Sequence, residues 1–130
     1  MLNREQCLEL LGTVAVGRVG VSIRALPAIL PVNFVLAGGQ ILFRTIPGTK
    51  LDAAAAGAVV AFEADGFDPG GGSGWSVLVQ GICSEVTDPD DLARLAHLPL
   101  EPWAFGPGVA DRLVRVETSF VSGRRFQRAG

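Results

Sequence analysis

Residues 43–50 read Phe43-Arg44-Thr45-Ile46-Pro47-Gly48-Thr49-Lys50. Arg44 and Lys50 bring two cations, and Thr45 and Thr49 two hydroxyls, to a strand end, a glycine bend and a helix start. Arginine grips phosphate oxygens in pairs, lysine acts as a point charge, and a helix start adds free N–H groups. The set has the chemistry of a monophosphate cradle. The same spacing also describes a capped helix with exposed basic side chains. With Gly48 as its one glycine, it is not the nucleotide-triphosphate loop, whose glycine spacing is different. The 11 basic residues are Lys50 and ten arginines. A composition biased towards arginine explains why lysine is scarce, and leaves unexplained why the one lysine falls here.

Two further segments carry ligand-binding residue types. In Leu30-Pro31-Val32-Asn33-Phe34-Val35 the proline removes a ladder donor, which frees neighbouring backbone groups to meet a planar heterocycle edge-on. Asn33 can donate and accept. The competing reading is an edge strand guarded by Pro31. Gly74-Trp75-Ser76-Val77-Leu78-Val79 places Trp75 just after a glycine-rich run. Trp75 and Trp103 can each wall an aromatic ligand or close a barrel end. Other catalytic sets are missing. There is one histidine, His97, near a helix end, and no His/Cys cluster with metal-ligand spacing. Cys83 alternates within a strand and reads as buried. Glu63 and Asp65 read as a solvated turn rather than paired catalytic carboxylates. Any redox chemistry would therefore fall to a bound cofactor.

The elements that must position these residues follow from periodicity. Asn3 caps a helix, with Gln6 completing a capping box and Gly12 ending it. Strands are expected over 14–23, 28–36 and 40–45, with a hairpin turn at Ala37-Gly38-Gly39. Thr49 caps a helix running to Ala56, and a strand follows over 59–63. Residues 65–74 read as a flexible loop, and 75–86 as a long strand. Asp88-Pro89 starts a helix that runs to about His97. A proline-rich loop follows to Val109, then strands over 111–117 and 121–126. Short connections between about six strands favour a mainly β fold, an antiparallel barrel with two or three short flanking helices.

Length and composition bound the rest. A chain of 130 residues and 13.6 kDa is one domain, 1–130. Hydrophobic residues at 48% against 18% charged exclude a disordered chain. A net charge of −2 offers no basic surplus for nucleic acid or an anionic membrane. Mean hydropathy is +0.38, high for so small a domain, so apolar surface is expected to pair with a second copy. Met1 to Glu9 shows no export signal, so a cytoplasmic setting with Cys7 and Cys83 reduced is expected.

The ordered set Val16-Gly17-Arg18, Pro31-Val32-Asn33, Phe43-Arg44-Thr45, Gly48-Thr49-Lys50-Leu51 and Gly74-Trp75-Ser76-Val77-Leu78-Val79 resembles the pyridoxamine 5′-phosphate oxidase-like family of flavin-binding split barrels. Pro102-Trp103 and Ser122-Gly123-Arg124-Arg125 extend the match, which is closest to the short actinobacterial-type branch. The resemblance implies a homodimer of six-stranded split barrels with two FMN molecules in clefts between the subunits. By matched position Arg44, Thr45, Thr49 and Lys50 would hold the phosphate, Phe43 would belong to the same cofactor-binding set, and Pro31, Val32 and Asn33 would border the ring. Trp75, Ser76 and Trp103 would complete the cleft. The implied activity is flavin-dependent oxidation or reduction of a small molecule. The alternative is a non-enzymatic flavin carrier or sensor, and related barrels use deazaflavin or haem. The similar enzyme that makes pyridoxal phosphate carries a C-terminal substrate-binding stretch that this sequence lacks, so vitamin B6 oxidation is not expected.

Overall fold

The structure, a computed structural model, describes residues 1–100 and 112–127. Helix α1 (Arg4–Leu11) opens on Asn3, whose Oδ1 accepts from the Gln6 N–H at 2.8 Å while Gln6 Oε1 accepts from the Asn3 N–H at 2.9 Å. Cys7 and Leu11 are its buried face. Strands β1 (Val16–Ile23), β2 (Leu26–Ala37) and β3 (Gln40–Thr45) form two successive hairpins. Gly38 and Gly39, with φ of 60° and 74°, supply the left-handed pair that a tight hairpin turn requires. Helix α2 (Lys50–Ala54), β4 (Ala56–Asp68), β5 (Ser73–Glu85), α3 (Pro89–Leu95), β6 (Arg112–Val116) and β7 (Phe120–Gln127) complete the chain.

The strands hydrogen-bond in the order β4-β1-β2-β3-β6-β5-β7, and β4 also pairs with β5. That second pairing closes six antiparallel strands into a barrel, with β7 as a seventh strand outside the closure. Val19, Phe34, Ile41, Phe43, Phe62 and Val79, each no more than 2% exposed, fill the interior. Phe34 and Phe62 meet edge to face, with centroids 4.7 Å apart. Outside the wall, Leu42, Val86, Leu95, Leu100 and Leu113 form a second cluster. Cys83 is fully buried, and burial pushes its thiol pKa up to about 11.

One edge of β5 is shared. Residues Ser73 to Gln80 pair with β7, and Cys83 to Glu85 pair with β6. Gly81 sits at the changeover, and a Cβ there would collide with the Glu117 carbonyl. The sheet splits at this glycine.

The structure corrects the expected loop over 65–74. β4 runs on to Asp68 and β5 starts at Ser73, leaving only a short bend. Two of the glycines that suggested flexibility make room for aromatic rings. A Cβ on Gly66 would strike the Trp75 indole, and one on Gly74 the Phe126 ring. β4 is accordingly longer than 59–63, and α2 is shorter than the span to Ala56.

Candidate functional site

The turn after β3 is built by its own polar groups. Gly48, at φ 88°, is the one residue here whose backbone demands glycine. The Thr49 hydroxyl donates to the Ile46 carbonyl at 2.8 Å and accepts from the Asp52 N–H at 3.2 Å. It is therefore fully used in capping α2. Asp52 Oδ2 accepts from the Gly48 N–H at 2.8 Å, and its Oδ1 accepts from Arg112 Nη1 at 2.9 Å. Arg112 Nε also lies 3.9 Å from Glu85 Oε1. The carboxylate thus ties the turn to β6.

Around this turn the predicted residues divide. Pro31, Thr49 and Lys50 line one cleft of about 320 Å³, together with Leu30, Ile46 and Leu51. Lys50 is exposed and makes no ion pair with any described residue. Arg44 and Thr45 are consecutive in β3, so their side chains leave the strand on opposite faces. Thr45 lies on the inward side with Ile41 and Phe43; it is 3% exposed, and its Oγ1 has no hydrogen-bond partner among the described residues. An unpaired buried hydroxyl costs about 1–3 kcal/mol, so this atom is out of balance in the protein alone. Val32 and Phe43 are core side chains, 4% and 0% exposed, and touch a ligand at most through their backbone.

Pro31 meets both of its readings. β2 pairs with β3 only over Phe34 to Ala37, so at Pro31 the strand has β1 on one side and an open edge on the other. Register places Pro31, Arg18, Glu63, Leu78 and Ser122 in one outward row across five strands. Ile29, Gly20, Ala61, Gln80 and Phe120 make the next row. Asn33 is half-buried and lies on this outer face, since it is two residues from Pro31.

Trp75 and Ser76 sit elsewhere on the chain. Trp75, 9% exposed, packs among the interior residues and borders a cleft of about 450 Å³ with Phe67, Asp68, Arg125 and Phe126. Ser76 borders a separate cleft with Met1 and Arg124. Neither cleft includes a residue of the turn after β3. Trp103 falls outside the described residues.

Glu63 and Asp65 are strand residues, not a turn. Arg18 Nη1 lies 3.3 Å from a carboxylate oxygen of each. Burial, and next the charge of Asp65, raise the Glu63 pKa against the opposing pull of Arg18. Among the described residues no group of three His, Cys, Asp or Glu could hold a metal, and no helix is long and apolar enough to cross a membrane.

Asp52 and Arg112 are the functional candidates that sequence reasoning missed. Thr49-Lys50-Leu51-Asp52 has the spacing of a capping motif, so Asp52 was detectable. Its ion pair with Arg112 spans 60 positions and leaves no local trace.

A family profile described as pyridoxamine 5′-phosphate oxidase matches residues 3–125. An uncharacterized protein of Mycobacterium tuberculosis is 41% identical over 130 residues, covering 96% of this chain and 84% of that protein. The structure of an FAD binding protein from Mycobacterium smegmatis is 40% identical with a TM-score of 0.83, covering 97% of this chain and 98% of that one. An FAD-binding protein from Mesorhizobium loti, 22% identical, superposes with a TM-score of 0.79 over 97% of this chain and 96% of its own; at that identity the likeness speaks to the fold alone. The chain belongs to the pyridoxamine 5′-phosphate oxidase-like family of split barrels.

Proposed function

We propose that this protein binds a flavin and uses it as an oxidoreductase on a small molecule, working as a homodimer. The observation that carries the reading is the meeting of Lys50 and Pro31 in one cleft, at the Thr49-capped start of α2. An ammonium that pairs with no described residue is what a flavin phosphate would satisfy. The similarity to an FAD binding protein at 40% identity supports the flavin. FMN is the cofactor we favour by matched motif; FAD is the form named for that relative.

A bound flavin would supply a ring that accepts and returns a hydride. The chain's part is placement. Lys50 fixes the phosphate end. Pro31 and Asn33 stand on the open edge of β2, where unpaired backbone groups can hydrogen-bond a planar ring. Trp75 and Ser76 border other clefts of their own chain, so in this reading a second copy brings them to the flavin. The outward rows of Ile29, Gly20, Ala61, Gln80 and Phe120 support that pairing. Ile29 is 75% exposed and Phe120 73%, an apolar content that water disfavours.

Purified protein is expected to be yellow, with flavin absorption bands, and to have the mass of two chains in solution. Bleaching of those bands by NAD(P)H, and their return with an acceptor, tests the oxidoreductase. A second reading, a flavin carrier or sensor, draws on the lack of a His, Asp or Glu among the described residues lining the cleft; stable flavin that never bleaches would favour it. A Soret band would replace the flavin with haem, and binding of deazaflavin alone would replace it with that cofactor.

A further inference from the structure

We propose that the Arg18, Glu63 and Asp65 groups of two copies meet on the two-fold axis of the dimer, where each Arg18 pairs with Asp65 of the second copy. This inference rests on the homodimer reading above. In the single chain one nitrogen, Arg18 Nη1, lies 3.3 Å from both Glu63 Oε2 and Asp65 Oδ1. Arg18 Nη2 and Nε donate to no described residue, although a guanidinium carries several N–H donors. Two carboxylates thus share one corner of a cation whose other donors are unspent. A group of that kind is complementary to its own copy.

Strand order fixes where the two groups fall. On the outer face β2, β1, β4 and β5 lie side by side. One row reads Asn33, Val16, Asp65, Ser76, and the next Pro31, Arg18, Glu63, Leu78. A two-fold axis that seats Ser76 of the second copy on Pro31 exchanges β2 with β5, and so passes between β1 and β4. The same rotation carries each Arg18 onto Asp65 of the second copy, and each Glu63 onto Val16. Sheets packed face to face lie about 10 Å apart, a gap that an arginine and a carboxylate span together. Gly20 and Ala61 line a hollow of about 190 Å³ beside Arg18 and Glu63, which leaves these side chains room to turn.

Each copy brings two carboxylates and one guanidinium, so the axis carries one surplus negative charge per copy. The only other charge in these rows is Arg124, beyond Ser76 on β7. Burial and the Asp65 charge already raise the Glu63 pKa in the single chain, and enclosure raises it further. Association therefore takes up protons, and acid tightens the dimer.

Light scattering on a dilution series of the full chain tests this. The wild-type dimer dissociation constant is expected to fall about tenfold between about pH 8 and pH 5.5, the order of one screened unit charge. Glu63→Gln should hold the tighter value at both. Arg18→Glu and Asp65→Arg should each be monomeric near neutral pH with unchanged circular dichroism, since these side chains are 42% and 50% exposed in the single chain. Mixed, the two variants should form a one-to-one dimer by native mass spectrometry, because the exchanged charges again oppose one another across the axis. Dimers from either variant alone, a mixture that stays monomeric, or a wild-type dimer indifferent to pH would overturn the axis while the homodimer stands. Wild type with the mass of one chain at every concentration overturns the homodimer reading, and this inference with it.

Discussion

Lys50 and Arg44 illustrate how far a residue type carries an argument. Both were placed by chemistry alone, and Lys50 does reach a cleft shared with Pro31. Lys50→Ala and Arg44→Ala are each expected to weaken flavin binding by about 1.5–3 kcal/mol, the range for a charged hydrogen bond. Titration of the apoprotein with FMN measures it, and unchanged affinity in both would remove them from the phosphate site. The hydroxyls show the opposite lesson. Thr45 and Thr49 look alike in the sequence, yet Thr49 spends both its donor and its acceptor on the helix cap and Thr45 spends neither. That difference depends on which backbone atoms end up within reach, and no residue type encodes it.

At the scale of elements, the split of the sheet hangs on Gly81. Gly81→Ala would drive a methyl group into the Glu117 backbone, where no flexible side chain can yield. A loss of about 4 kcal/mol or more, or failure to fold, is expected from overpacking of this kind. Urea unfolding followed by tryptophan fluorescence measures it; a variant as stable as wild type would mean that β5, β6 and β7 do not meet as described. The strands themselves were largely readable. Alternation of Val77 and Val79 with Leu78 and Gln80 fixed β5, and Asn3 with Gln6 fixed the start of α1. The β4–β5 bend was misread because glycine has two uses. A run of glycines signals a loose loop by composition, whereas Gly66 and Gly74 are small so that Trp75 and Phe126 can lie against the sheet. Only a tertiary contact distinguishes these cases. The site was legible in its motifs and not in its connections: Asp52 and Arg112 meet through the pairing of β3 with β6.

For the molecule as a whole, the proposed pairing of two copies makes the outer sheet face the decisive surface. Ile29→Glu puts a charge at a site that is 75% exposed in the single chain, so the barrel should keep its stability. Placed in a dimer interface, the same charge would be buried without a partner. The expected result is a protein with unchanged circular dichroism, half the mass by light scattering, and lost flavin. A dimer that survives Ile29→Glu would move the interface off this face. The Arg18, Glu63 and Asp65 group lies in the same region and would be enclosed with it.

The single-edged attachment of β7 has one more consequence. Among the described strands β7 pairs with β5 alone, and α1 is tied to this same region: the Leu2 N–H donates to the Gly123 carbonyl at 3.0 Å, and the Cys7 sulfur rests against Gly123. Detachment of that flap would uncover Cys7 while Cys83, inside the closed wall, stays sealed. The two thiols are thus a pair of clocks. Under native conditions Cys7 should react with a maleimide at the rate of local opening, and Cys83 only at the slower rate of global unfolding. Identical rates at both would mean that the flap and the wall come apart as one.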